Sequence, residues 1–283
     1  MKLVTFHVDG LTQVGVLEGD QVRAAGFSGD MNQFIAAGMP IETGGPSYSL
    51  SQVRLDAPNP RPGKFLALAG NYQAHIEEGG GQRVDKTKIT PRVFMKPSSC
   101  VVGPGEAVVL PRVSDAVDYE LELGIVIGRQ AKHVSVDNAL DYVAGYTIIN
   151  DISSRSLNIG AHRTPRPMDD FFDWLNGKWQ DTFGPMGPYI LTSDEVSDPD
   201  NLWLKLWVNG ELRQNSNTSY MIFNTREMVA FCSDLMTLEP GDVIATGTPS
   251  GVGDTTGTYL KAGDVMRGEV EGLGVLESPV VGG

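Results

Sequence analysis

The sequence predicts a protein dominated by β-strands, with few helices, in two parts: a small β-rich N-terminal domain over residues 1–60 and a larger catalytic-sized domain over residues 61–283. Three observations support this. Glycine (34) and proline (17) are plentiful in the 283 residues and fall between short runs rich in Val, Ile, Leu and Tyr. Such runs bounded by turn residues read as strands. The stretch from Ala57 to Lys64, "APNPRPGK", then interrupts the pattern, because proline removes ladder donors and favours extended backbone. Helix signals are confined to a few short segments.

In chain order, "LVTFHV" and "QVGVLEG" read as strands about a turn at Asp9-Gly10, followed by "QVRAAG". "DMNQFIAAGMP" predicts a short helix that stops at Gly38. After the linker, "FLALAG", "RVFMKP" and "YELELGIVIG" read as strands. "DNALDYVAGYTIIND" predicts a short helix from Asp137 leading into a strand that ends at Asp151. "LWLKLWVNGELRQNS" predicts a hairpin, because Asn209-Gly210 is a preferred two-residue turn between alternating runs. The best-signalled helix spans Thr225 to Met236: Asn224 can cap it with Glu227 three residues on, and Met228, Cys232, Leu235 and Met236 share a face.

The formal net charge of -13, with no basic cluster to offset it, excludes nucleic acid and anionic membrane as expected partners. No apolar run approaches the roughly 18 residues of a membrane helix, and no secretory signal is read at the start, so the expected location is the cytoplasm. Cys100 and Cys232 are expected to be buried free thiols rather than a pair. There is no Cys/His cluster with zinc spacing.

The chemistry-bearing residues are acidic. On a strand, Glu120 and Glu122 face the same side. A bare Glu-x-Glu is usually a solvated strand face, but here an apolar run follows it, and two carboxylates buried side by side repel. A divalent cation resolves that repulsion, and hard oxygen ligands suit Mg²⁺, Mn²⁺ or Ca²⁺. Asp151 is a third acid at the end of an apolar strand; its competing role is to cap "ISSRS". His75 and Glu78, three apart, would share a face on a helical turn, so Glu78 could orient His75 as a base for water. "TGTPSGVG" (Thr246 to Gly253) lacks the glycines of an esterase nucleophile turn and the Gly-Lys-Ser/Thr of a Walker loop.

In order and rough spacing, "YELELGIVIG", "GYTIINDISSR", "GKWQDTFGPMGP", "VNGELRQ" and "EPGDVIATGTPSGVG" resemble the fumarylacetoacetate hydrolase family, from about Pro62 to Pro279. "FMKPSS" and "GDVMRGEVEGLGVLESPV" add to the likeness. The resemblance implies a mixed β-sandwich roll, a homodimer, and a bound Mg²⁺ or similar ion held by Glu120, Glu122 and Asp151. It implies a mobile lid carrying Asn-Tyr-x-x-His-x-x-Glu, with Tyr72 beside the substrate, and the Gly79-Gly80-Gly81 run and the polar stretch to Pro91 are consistent with such a lid. It places Lys178 in catalysis, and Arg155 and Thr248 on the substrate carboxylate. The sequence departs from the family at Ser156 and at Asn158, where family members often have Asp and Gln. Asn158 is thus the expected substrate contact at its position, and substrate identity stays open. The segment from Ile159 to Gly177 is expected to form a substrate-selecting wall.

The resulting expectation is a metal-dependent hydrolase that cleaves a C–C bond in a 2,4-dioxo acid. Oxaloacetate decarboxylation or tautomerisation, or isomerisation of a 2-hydroxy-diene-dioate, would need the same chelate but no attacking water. A non-catalytic metal- or small-molecule-binding protein on a retained fold is the reading from another class.

Overall fold

The computed structural model describes residues 1–42, 44–159 and 163–283. Among the described residues nineteen strands follow in chain order. The first five are β1 (Lys2–Val8), β2 (Leu11–Glu18), β3 (Gln21–Ala24), β4 (Ser47–Ser49) and β5 (Arg54–Leu55). Next come β6 (Phe65–Ala69), β7 (Arg92–Lys96), β8 (Val101–Val102), β9 (Val108–Leu110), β10 (Val117–Asp118), β11 (Leu121–Ile127) and β12 (Val143–Asn150). The last are β13 (Ser153–Ser154), β14 (Gly184–Thr192), β15 (Trp203–Val208), β16 (Glu211–Asn217), β17 (Val243–Ala245), β18 (Val265–Val270) and β19 (Gly274–Gly282). The α-helices are α1 (Met31–Ala36), α2 (Gln73–Glu78), α3 (Asp169–Asn176), α4 (Thr225–Leu235) and α5 (Gly253–Thr256).

The main sheet runs β4-β3-β2-β1-β14-β12-β11-β17-β6-β7, with β5 on β1 and β8 on β14. Its centre is made of chain runs with no polar alternation. All seven residues of β11 and all eight of β12 are buried, as expected for strands covered on both faces. The sheet curls. Chain leaving the β7 edge passes through Ser98–Cys100 into β8, which pairs in parallel with β14 on the far side of β12. This closure makes the roll. A second sheet, β16-β15-β18-β19-β9, packs on it. At their contact a Cβ on Gly268 would lie 2.5 Å from Leu121 Cδ1, so the two layers meet there only because position 268 carries no side chain.

The mixed β-sandwich roll is therefore the observed fold. The first sixty residues supply the β4-β3-β2-β1 edge, and β1 bonds directly to β14 through Lys2–Leu191 and Leu3–Ile190. The linker at residues 57–64 thus joins two stretches of one continuous sheet. The hairpin at Asn209-Gly210 forms between β15 and β16, with both turn residues at positive φ. The expected short helix before β12 is a 3-10 helix, Val136–Tyr142. Cys100 and Cys232 are both buried and free. No helix among the described residues is long and apolar enough to cross a membrane.

Helix α4 forms as its sequence indicates: Asn224 Oδ1 accepts from Glu227 N at 3.0 Å, and Glu227 Oε2 accepts from Asn224 N at 2.8 Å. Met228, Val229 and Cys232 bury its inner face. Removing the cap leaves a first-turn donor without its partner. Asn224→Ala should lower unfolding free energy by about 1 kcal/mol in urea titration, and an unchanged midpoint would show that the cap does not contribute.

Candidate metal centre and active site

Strand register brings the three acids together. Glu120 lies in the two-residue break between β10 and β11, Glu122 is the second residue of β11, and Asp151 is the first residue past β12. Leu121 pairs with Asn150, so the start of β11 abuts the end of β12. Two further bonds fix the junction: Asp151 N donates to the Glu120 carbonyl at 2.8 Å, and Glu120 N donates to Asn150 Oδ1 at 2.8 Å. One carboxylate oxygen from each of Glu120, Glu122 and Asp151 lies within 4.8 Å of the others, and all three residues are buried.

Their charges are unequally compensated. Glu120 accepts from Lys178 Nζ at 2.7 Å and from Arg155 at 2.5 Å. Asp151 accepts from Lys178 Nζ at 2.8 Å and from Lys96 Nζ at 2.5 Å. Glu122 meets no cation. Its Oε2 accepts from Gly247 N at 2.6 Å, and its Oε1 is buried with no hydrogen-bond partner. Gly247 can approach this closely because it sits at φ +89 and carries no side chain; a Cβ there would lie 2.7 Å from Asn71 Cβ.

The ionisation equilibria follow that asymmetry. Burial would raise the Glu120 pKa, but Lys178 and Arg155 outweigh burial and hold it below the usual carboxylate range. Glu122 goes the other way: burial, then the neighbouring Asp151 and Glu120 charges, push it well above its ordinary value. The Lys178 ammonium is held charged against burial by Asp151 and Glu120.

Asp118 completes the cluster. It is fully buried and accepts from Arg155 Nε at 2.9 Å, from Gly253 N at 2.6 Å and from Asp254 N at 3.0 Å. Four carboxyls (Asp118, Glu120, Glu122, Asp151) thus face three cations (Lys96, Arg155, Lys178). Fully ionised, the cluster is one charge negative, and a divalent cation would leave it one positive. This donor set fits a hard divalent cation: three carboxylates, one of them with a buried oxygen that has no hydrogen-bond partner.

The other expected residues divide. His75 and Glu78 form their pair, Nδ1 to Oε1 at 2.8 Å, on α2. The second Glu78 oxygen accepts from Gly251 N at 2.8 Å, which ties α2 to the 246–253 loop. His75 lies close enough to Glu120 for its charge to favour the Glu120 carboxylate. The hydroxyl of Tyr72 is buried without a partner, and burial, then the nearby Glu122 charge, raises its pKa. Arg155 and Lys178 reach the centre, and both grip carboxylates there.

Two expected substrate contacts are engaged with other parts of the chain. Asn158 is exposed, and its amide donates to Asp115 Oδ2 at 3.0 Å; its backbone N–H is held by the Val113 carbonyl, which keeps the residue on the outer loop. The Thr248 hydroxyl donates its only proton to the Leu121 carbonyl at 3.0 Å and accepts from Gln214 Nε2 at 2.8 Å, so it has no proton for a carboxylate. Residues 160–162 of the expected wall lie outside the described residues; α3 forms its C-terminal half, after irregular chain over 163–168.

Lys96, Asp118 and Gln214 were not singled out from the sequence. Lys96 left a signal: in "RVFMK" the inward register holds Phe94 and Lys96 while Met95 faces out, so a lysine falls on the buried face of a strand. Asp118 stands two residues before Glu120, at the same spacing that singled out Glu122.

Comparison with known proteins agrees with this geometry. The family described as fumarylacetoacetate (FAA) hydrolase C-terminal matches residues 64–281, and the chain belongs to that family of enzymes. It is 42% identical over 235 residues to the mitochondrial oxaloacetate tautomerase of Xenopus laevis, covering 82% of this chain and 70% of that one. An uncharacterized Pyrococcus abyssi protein is 45% identical over 221 residues, 78% of this chain and 91% of that protein. Among solved structures, maleylpyruvate hydrolase from Sphingobium sp. SYK-6, in complex with manganese(II) and pyruvate, has 33% identity and a TM-score of 0.79, with 100% of both chains covered. A 5-carboxymethyl-2-hydroxymuconate delta-isomerase from Mycobacterium smegmatis has 34% identity and a TM-score of 0.81, again over 100% of both chains.

The raised Glu122 pKa gives a pH test with a definite sign. Without metal, folded Glu122 keeps a proton that an unfolded glutamate would lose. Its contribution to stability is therefore full below the ordinary glutamate pKa and is lost as pH rises through the raised value. Metal binding needs the carboxylate, so Mn²⁺ affinity should rise with pH across that window, with proton release seen by titration calorimetry in two buffers. Glu122→Gln should weaken binding and abolish the release; release undiminished in that variant would place the proton elsewhere.

Proposed function

We propose that the protein is a metal-dependent hydrolase that cleaves a C–C bond in a 2,4-dioxo acid, giving pyruvate and a second acid. The observation that carries this reading is the His75–Glu78 pair at 2.8 Å on a helix lying against the carboxylate cluster. Hydrolysis needs a base for water, and tautomerisation or decarboxylation does not need that water. Glu120, Glu122 and Asp151 would hold the cation, with Mg²⁺ or Mn²⁺ as the expected occupant. When bound, it supplies Lewis-acid polarisation of the substrate's oxo groups.

The protein's own residues do the rest. With Glu78 accepting from Nδ1–H, the imidazole presents its Nε2 lone pair and takes the proton of water there. Glu78 then stabilises the imidazolium, while its bond to Gly251 N keeps α2 down over the centre. The ammonium of Lys178 supplies fixed positive charge for the enolate that develops as the C–C bond breaks. Arg155, held by Asp118 and Glu120, contributes positive potential for an anionic substrate. Activity as a homodimer remains part of this reading.

A second reading is favoured by one observation: relatives 41–42% identical to this chain are oxaloacetate tautomerases. The two separate on one metal-loaded preparation. His75→Ala should cost about two to four orders of magnitude in acylpyruvate hydrolysis, the usual worth of a positioned base. Oxygen-18 from water should enter the acid product in the parent enzyme. Hydrolysis at the parental rate in His75→Ala would remove the dyad from the mechanism. Oxaloacetate tautomerisation without any acylpyruvate turnover would establish the second reading instead.

A further inference from the structure

Helix α3 ends one residue short of Lys178, and the two are joined by more than the chain. The Gly177 carbonyl accepts from Ser154 N at 3.0 Å, which pins the end of the helix to β13, close behind Asp151. From there the Lys178 side chain runs into the cluster. Its ammonium has Glu120 Oε2 at 2.7 Å and Asp151 Oδ2 at 2.8 Å on one side. On the other side are two aromatic rings: the Phe94 centroid at 5.4 Å and the Trp174 centroid at 5.9 Å. These rings meet edge to face, 5.1 Å apart and at 70°. They belong to different elements, β7 and α3, so the arrangement requires both.

The same two rings form a boundary. Phe94 and Trp174 line a groove of about 610 Å³ between α3, α4 and the β7 edge, together with Phe171, Phe231 and Leu235. Lys178 itself is buried. The rings therefore separate a dry, charged centre from an outer apolar groove.

We propose that Phe94 and Trp174 are positioning residues for Lys178. They present ring faces where water would otherwise solvate the ammonium, and they hold its donors on Glu120 and Asp151. Ring quadrupoles attract a cation most when both are desolvated, and an ammonium shifted by an ångström loses its alignment with charge developing on a substrate. Helix α3 thus acts on the metal centre through Trp174, and is more than an outer wall. The proposal rests on the catalytic role given to Lys178 above.

The test uses the full-length, metal-loaded protein and two independent readouts. Trp174→Leu should lower kcat about tenfold, with KM and Mn²⁺ affinity within about threefold. Trp174→Phe, which restores a ring, should recover most of that loss. In a Lys178→Met background, Trp174→Leu should change kcat by less than about twofold, because the residue it acts through is gone. The cycle can be run on acylpyruvate or on oxaloacetate, so failure of the hydrolase reading leaves it intact. Losses that multiply across the two backgrounds would overturn the proposal.

The second readout needs no substrate. Reductive methylation followed by peptide mass mapping should leave Lys178 unmodified in the parent at times when exposed Lys88 is fully labelled. Trp174→Leu should raise Lys178 labelling at least about tenfold, while Lys96, on the opposite side of Asp151, stays protected. Equal protection of Lys178 in both proteins, or labelling of Lys96 along with it, would count against a local positioning role.

Discussion

The structure is organised around the unpaired carboxylate of Glu122. Burying one ionised carboxyl with no cation is costly; burying it beside Glu120 and Asp151 is costlier still, because like charges in a low-dielectric interior repel strongly. Lys178 and Arg155 satisfy Glu120, and Lys96 and Lys178 satisfy Asp151, yet no basic residue is delivered to Glu122 Oε1. The fold pairs every carboxyl of the cluster with a cation but one. Ionised, that carboxylate would supply the charge a cation takes, which ties occupancy to pH.

This arrangement constrains the fold at long range. Lys96 comes from the end of β7, an edge of the main sheet, while Asp151 comes from the end of β12, near its middle. They touch only because the sheet rolls. Asp118 imposes a second link: one buried carboxylate holds the Arg155 guanidinium and also accepts the backbone N–H groups of Gly253 and Asp254. The loop from 246 to 254 is therefore fixed from two sides, by Asp118 at one end and by the Gly247–Glu122 bond at the other. Glu78 then reaches that loop at Gly251. The helix bearing His75 thus docks on a surface whose shape is set by the carboxylate cluster itself.

The parts of this that were legible in the sequence are those encoded by local pattern. The β-rich class, the Asn209-Gly210 hairpin and the Asn224–Glu227 capping box each depend on a few adjacent residues, and each formed. The acidic triad was legible because a carboxylate on an apolar strand contradicts its surroundings. Lys96 contradicts its surroundings equally, but a long aliphatic stem lets lysine snorkel from most positions, so a lone lysine on a strand is a weaker signal. Thr248 and Asn158 show what local pattern leaves out. Their side-chain types suit a carboxylate, but the Leu121 carbonyl, Gln214 and Asp115 compete for the same donors from distant parts of the chain. Hydrogen-bond competition of that kind has no local signature.

These engagements bear on how an anionic substrate would be held. With Thr248 bonded to Leu121 and Gln214 and Asn158 turned outward, Tyr72, whose hydroxyl is buried without a partner, is the neutral side-chain donor of the expected set that stays free. Fixed charge then adds to it, and the cluster's arithmetic matters. Without a cation Glu122 keeps its proton and the centre is net neutral; with a divalent cation and Glu122 ionised it would be net positive and would attract an anionic substrate. Substrate affinity and metal occupancy would thereby be coupled through charge. Lys96, Arg155 and Lys178 each set the sign of that balance, and neutralising any one of them would return the metal-loaded cluster to zero. The three buried cations thus serve a purpose beyond pairing: they let a strongly acidic chain present a positive site.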